Sequence, residues 1–183
     1  MWYAILGAVL LAGDQILKYW VVTHLAVGES APFLPGFMQL TRLHNYGAAW
    51  SSFSGRTVLL VVFTAVLLAA VALLLLKKVV RHWTGITACT LILSGGIGNI
   101  IDRIVHGYVV DMFDLQLFSY PVFNLADCCV VVGAILGGIY RRDRKLSSRV
   151  PVSSSRGVRR IMCMVRLLLF LVVFFVEEQV VYP

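Results

Sequence analysis

Four stretches of the chain are dominated by apolar residues, and polar and turn-forming residues collect between them. Residues 2–22, 57–76, 84–101 and 122–140 are each read as a membrane span, because about 20 residues rising 1.5 Å each cross roughly 30 Å of hydrocarbon. The second has no charged residue. The first carries Asp14 and Lys18, four apart and therefore on one helix face, with the acid N-terminal to the base. The third holds Ser94, Gly95, Gly96 and Gly98, small residues that let helices approach closely, and Asn99 lies near its end. The fourth follows Pro121 and contains Asn124, Asp127 and a Gly133/Gly137 pair. Residues 23–56 are broken by Gly28, Pro32, Pro35, Gly36, Gly47 and Gly55, and are read as a loop outside the membrane. Within it, FMQLTRLHN partly alternates and predicts a short strand or hairpin on the membrane face. The segment from Asp102 to Tyr120 is read as an acidic and aromatic outer connection.

Charge orients these spans. Lys77, Lys78 and Arg81 mark one connection, and eight basic residues lie between Arg141 and Arg160, against Arg42, Arg56 and Arg103 in the two other loops. The positive-inside rule puts both ends of the four-span core in the cytoplasm. Composition agrees with a lipid setting: 60% hydrophobic and 14% charged residues leave too little polar surface for a soluble domain. The net charge of +7 comes from short basic clusters beside apolar runs, so it does not indicate a nucleic-acid partner. Met1 to Val22 lacks a basic leading region and a clear cleavage site, and is read as a retained span. Residues 1–145 form the expected membrane domain. Residues 146–183 form a basic linker and an apolar tail of unassigned role, whose uninterrupted stretch, Leu167 to Val176, is short for a span and is expected at the interface.

The chemistry concentrates in GGIGNIIDRIVHGYVVDMFD, Gly95 to Asp114, and in Asp127 beyond it. The topology places Asp111 and Asp127 at similar depth near the outer face. Two carboxylates meeting in a low-dielectric setting resist double ionisation and share a proton. Such a pair suits acid/base hydrolysis, one member activating water while the other hydrogen-bonds the scissile carbonyl. A structural reading stands beside it, in which Asp127 pairs with Arg103 or caps a helix. Asn45, Asn99, Arg103 and Asn124 gather toward the same face, more polar groups than one buried acid requires. Arg103 also suits a lipid phosphate. Other designs fit less well: HExxH and GxSG are absent, and a Ser/Lys pair of Lys18 with Ser51 or Ser52 must compete with Asp14 for the lysine. Cys89, Cys128, Cys129 and Cys163 sit in apolar segments without metal-ligand spacing, so no metal or other cofactor is expected. A small proton-coupled transporter or channel is the alternative from another class, but a conduit should set ionisable groups at successive depths.

Four ordered blocks, DQILK from Asp14, HNYGAAWS from His44, the Gly95–Asp114 stretch and FNLAD ending at Asp127, resemble the lipoprotein signal peptidases of bacteria, the type II signal peptidases. The resemblance covers roughly Met1 to Tyr140. It implies an all-α membrane protein, a four transmembrane helix bundle with a small extracytoplasmic β-element, in the bacterial inner membrane. It further implies an aspartic endopeptidase that cuts diacylglyceryl-modified prolipoproteins before the lipid-bearing cysteine and binds the antibiotic globomycin at the same site. By that matching Asp111 and Asp127 are the catalytic pair, Asn45, Asn99, Arg103 and Asn124 line the substrate site, and Asp14, Lys18, Gly47 and Asp102 support it. Met112 stands where the family usually has an aromatic, and Trp50 where Phe is common.

Overall fold

The structure is a computed structural model that describes residues 1–47 and 57–147, with the side chains of 141–147 left undescribed. Its elements run α1 (Trp2–His24), β1 (Ser30–Leu34), β2 (Met38–Asn45), α2 (Thr57–Leu76), α3 (Trp83–His106), β3 (Val109–Leu115) and α4 (Leu125–Ser147). The expected tail segment and the second half of the HNYGAAWS block, including Trp50 and Ser51, lie outside the described residues, as does Ser52. Among the described residues, α1, α2 and α3 are long and apolar enough to cross a membrane, and α4 has a shorter apolar part, Leu125–Tyr140.

Helix α3 is the centre, packing against α1, α2 and α4. Its small residues make that possible. A Cβ on Gly95 would strike the backbone carbonyl of Ala126 in α4, and one on Gly98 would come within 2.7 Å of the Asp14 carboxylate in α1. Leu68, Val71 and Leu74 of α2 close on Cys89 and Ile92 of α3 in one buried apolar cluster. The lipid-facing sides remain apolar and exposed, as Val58, Val62 and Val66 on α2 illustrate, which suits a hydrocarbon solvent.

The third span was expected to end at Ile101, yet α3 continues to His106. It stops at Gly107, whose φ of 82° is the left-handed conformation that ends many helices, with its N–H returned to the Arg103 carbonyl. Asp102 and Arg103 are therefore helical, one turn inside the end. The segment beyond was expected as a loop, but VVDMFDL is strand β3. Its β-branched and aromatic content is strand-forming, and β2 offers a free edge. The sheet order is β1-β2-β3, both pairings antiparallel, with Leu43 opposite Asp111 and Asn45 opposite Val109.

Alternation along β3 decides what faces where. Val110 and Met112 are buried against Val21 and Leu25 at the end of α1, which seats the sheet on the bundle. Met112 is fully buried there, so an unbranched side chain fills the space at that position. Asp111 lies between them and turns the other way, toward the start of α4.

Candidate active site

Helix α4 begins with a reciprocal cap that also builds the site. Asn124 accepts the Asp127 backbone N–H on Oδ1 at 2.9 Å, and Asp127 accepts the Asn124 backbone N–H on Oδ2 at 3.2 Å. This is the geometry of a capping box, with Asn and Asp in the paired roles. The remaining functional atoms point inward. Asn124 Nδ2 donates to Asp111 Oδ1 at 2.6 Å and to Asn99 Oδ1 at 3.3 Å, while Asn99 Nδ2 donates to Asp127 Oδ1 at 2.7 Å. Asn45 Nδ2 donates to the other Asp111 oxygen at 2.9 Å. Two carboxylates from β3 and α4 are thus joined through the amides of Asn124 and Asn99, and Asn45 of β2 holds Asp111 from its other side.

The two acids differ in setting. Asp111 is fully buried, whereas Asp127 is partly open. Burial and the neighbouring Asp127 carboxylate push the Asp111 carboxyl up to about 8, and the amides of Asn45 and Asn124 only partly offset this.

Behind the acids lies a second buried group. Lys18 Nζ is 2.9 Å from Asp14 Oδ2 and 2.9 Å from Asp102 Oδ2, and it donates to Asn99 Oδ1 at 3.0 Å. Each partner carboxylate also accepts a backbone N–H from a neighbouring element: Asp14 from Ala126 of α4 at 2.9 Å, and Asp102 from Val110 of β3 at 3.1 Å. One lysine on α1 therefore fixes the residues adjoining both Asp111 and Asp127. Lys18 is fully committed to this group, which leaves the Ser/Lys arrangement without its base. Gln15 completes the cluster, donating to Asp14 at 3.2 Å, Asp102 at 3.2 Å and the Gly98 carbonyl at 3.4 Å.

The other expected residues sit at the margin. Arg103 donates to the Asn99 carbonyl at 3.4 Å, one helical turn from the amide that holds Asp127. Gly47 donates its N–H to Asn45 Oδ1 at 3.2 Å, which orients that side chain toward Asp111. Residues that sequence reasoning did not single out are Gln15, which adds no charge to an apolar run, and the aromatic rim, where His44 stacks on Tyr108 at 3.8 Å. Both rim residues adjoin Asn45 or Val109 in β2 and β3, so a β3 strand assignment would have brought them together. Asp114 belongs to the sheet instead, accepting from Gln39 and Thr41.

The apolar helices and the amide-linked carboxylates define a helical membrane protein with a polar centre built from two acids. Two solved structures, each described as a bacterial membrane enzyme, are similar to it over most of its length. One superposes with a TM-score of 0.73 at 30% identity, covering 84% of this chain and 94% of that one, and the other with 0.71 at 32%, covering 75% and 90%. The family pattern of signal peptidase (SPase) II matches residues 6–141, so the chain belongs to that family. Curated relatives named lipoprotein signal peptidase agree. That of Lactococcus lactis subsp. lactis is 40% identical over 126 residues, 69% of this chain and 83% of the relative. That of Enterococcus faecalis is 39% identical over 138 residues, 75% and 86%, and that of Lactiplantibacillus plantarum is 40% identical over 146 residues, 78% and 97%. The protein is a membrane protease of the aspartic type that removes signal peptides from prolipoproteins.

Proposed function

We propose that Asp111 and Asp127 are the catalytic pair of this peptidase and that the cut falls before a diacylglyceryl-modified cysteine. The observation that carries this reading is the Asn124 side chain, which donates to Asp111 while its carbonyl oxygen holds the backbone of Asp127. A purely structural cap would need only the second contact. Asp127, partly open, is the ionised member and takes a proton from water as the oxygen attacks the scissile carbonyl carbon. Asp111, buried and protonated, donates its hydrogen bond to the carbonyl oxygen. The tetrahedral intermediate then collapses: the C–N bond breaks, the leaving nitrogen takes the proton that Asp127 received from water, and the new carboxyl group departs with the signal peptide. No covalent enzyme intermediate forms.

Asn45, Asn99, Asn124 and Arg103 line the substrate's path in this account, and Asp14, Lys18, Asp102 and Gly47 keep them in place. Arg103 is the group suited to a phosphate or a substrate carbonyl at the membrane surface. The sheet and both acids lie at the outer face of the bacterial inner membrane, α4 serves as a fourth span, and both ends of the core are cytoplasmic, as the distribution of Lys and Arg supports. Globomycin would occupy the same cleft. Residues 1–145 are the peptidase domain, and residues 146–183 carry no assigned role.

The test is cleavage by the purified protein in lipid, with the product's new N-terminus identified by mass spectrometry. A diacylglyceryl-modified prolipoprotein should yield a modified cysteine at its N-terminus, and globomycin should block the reaction. Equal cutting of the unmodified precursor would contradict the assigned substrate. Proton flux through liposomes in place of cleavage would favour the conduit.

A further inference from the structure

The end of the bundle away from the acids holds a cavity of about 690 Å³ between α1, the end of α2 and α3, a size ordinary for a ligand pocket. Its wall is largely apolar, lined by Ala4, Ala8 and Leu11 of α1 together with Leu75 and Leu93, while Gly7 lets α1 approach Thr90 of α3 beside it. Lys78 and Arg81 lie at its margin and are both exposed.

The turn that presents them is unusual. Helix α2 closes with the Val79 N–H bonded to the Leu74 carbonyl and the Lys78 N–H to the Leu75 carbonyl, the paired contacts of a Schellman motif. The residue at the left-handed position of that motif is usually Gly, and here it is Lys78, with φ of 51°. It is the only non-glycine residue with positive φ among the described residues, and a side chain in that conformation is disfavoured. Arg81 folds back on the same turn, its Nε donating to the Lys78 carbonyl at 3.0 Å. The Arg81 side chain is thereby held on the turn that carries Lys78, and both basic residues border the apolar cavity. Both ion pairs among the described residues are made by Lys18, at the other end of the bundle.

We propose that this cavity binds an anionic phospholipid, one acyl chain between α1 and α3 and the phosphate at Lys78 and Arg81. The charge complementarity selects the headgroup, and the apolar wall selects a lipid over a soluble phosphate. The site lies in the leaflet opposite the acids and takes no part in the hydrolysis. It therefore stands independently of the catalytic assignment.

The full-length protein in neutral detergent, titrated with phosphatidylglycerol or phosphatidylcholine of matched chains, would be followed by native mass spectrometry. Each Lys or Arg near an anionic lipid surface is worth about fivefold in affinity, so two cations predict a preference of about 25-fold for phosphatidylglycerol. Lys78→Gly and Arg81→Gln should each lose about fivefold of it. Lys78→Gly should melt no lower than wild type, since glycine suits the turn, which separates lost binding from misfolding. Ala8→Trp, filling the apolar part, should weaken both lipids alike. A phosphatidylglycerol preference that survives in the Lys78→Gly, Arg81→Gln double variant would overturn the assignment, as would equal binding of the two lipids to wild type. Displacement of the bound lipid by inorganic phosphate at the same concentration would overturn it too.

Discussion

Asp111 is held by two amide donors yet keeps its proton to unusually high pH, because burial and the Asp127 carboxylate outweigh those donors. Its carboxyl binds a proton more tightly in the folded state than in the unfolded chain. Stability contributed by that proton is present in acid and is lost as pH rises from 3.8 through about 8. Thermal midpoints measured across this range should show Asp111→Asn gaining on wild type up to about pH 8 and not beyond. The cleavage rate of wild type should fall as pH rises through the same value, as the protonated member of the pair is lost. Lys18 gives a second test at this scale. Lys18→Met strands two buried carboxylates, Asp14 and Asp102, and breaking such a pair costs about 3–5 kcal/mol, read as a lower denaturation midpoint. Sequence exposed most of these residues, since an ionisable group within an apolar run is costly and therefore conspicuous. Spacing gave Lys18 only its near partner, Asp14. Asp102 joins them through the packing of α1 on α3, which has no local signature.

At the scale of elements, the close approach of α3 and α4 sets the reach of every amide in the site. Gly95→Ala places a methyl group against the Ala126 carbonyl, one residue before Asp127, and backbone there can yield only by moving α4. Overpacking of this kind costs about 1–3 kcal/mol or more, and the shift should lower activity further by pulling Asp127 from Asn99. Gly138→Ala, on α4 itself but with open space around its Cβ position, should leave both stability and rate near wild type; equal damage from the two would show that the effect of Gly95→Ala does not come from its contact with Ala126. Hydrophobic runs located the helices because membrane spans have few alternatives. The three-stranded sheet was half visible. β2 alternates, but VVDMFDL carries two acids and follows a helix that runs five residues past its expected end, so its strand character appears only once β2 is there to pair with it.

For the whole molecule, the orientation argument rests on where the basic residues fall. In a background lacking the natural cysteines, Val27→Cys, exposed before the sheet, should react with an impermeant thiol reagent on intact cells. Lys77→Cys should react only after the inner membrane is opened. The opposite pattern would place the acids on the cytoplasmic side, away from any exported precursor. The family match carries the activity, and the geometry supplies the residues, so the most direct measurement joins the two. Wild type, Asp111→Asn and Asp127→Asn, purified in lipid, are compared for binding and cleavage of a diacylglyceryl-modified prolipoprotein. Each substitution keeps the side chain's size and removes its acid. The account predicts that both variants fold and bind the substrate while cleavage falls by about 10²–10⁴-fold, the usual contribution of a general acid or base. Near-full cleavage by either variant would contradict the acid pair as the catalytic centre.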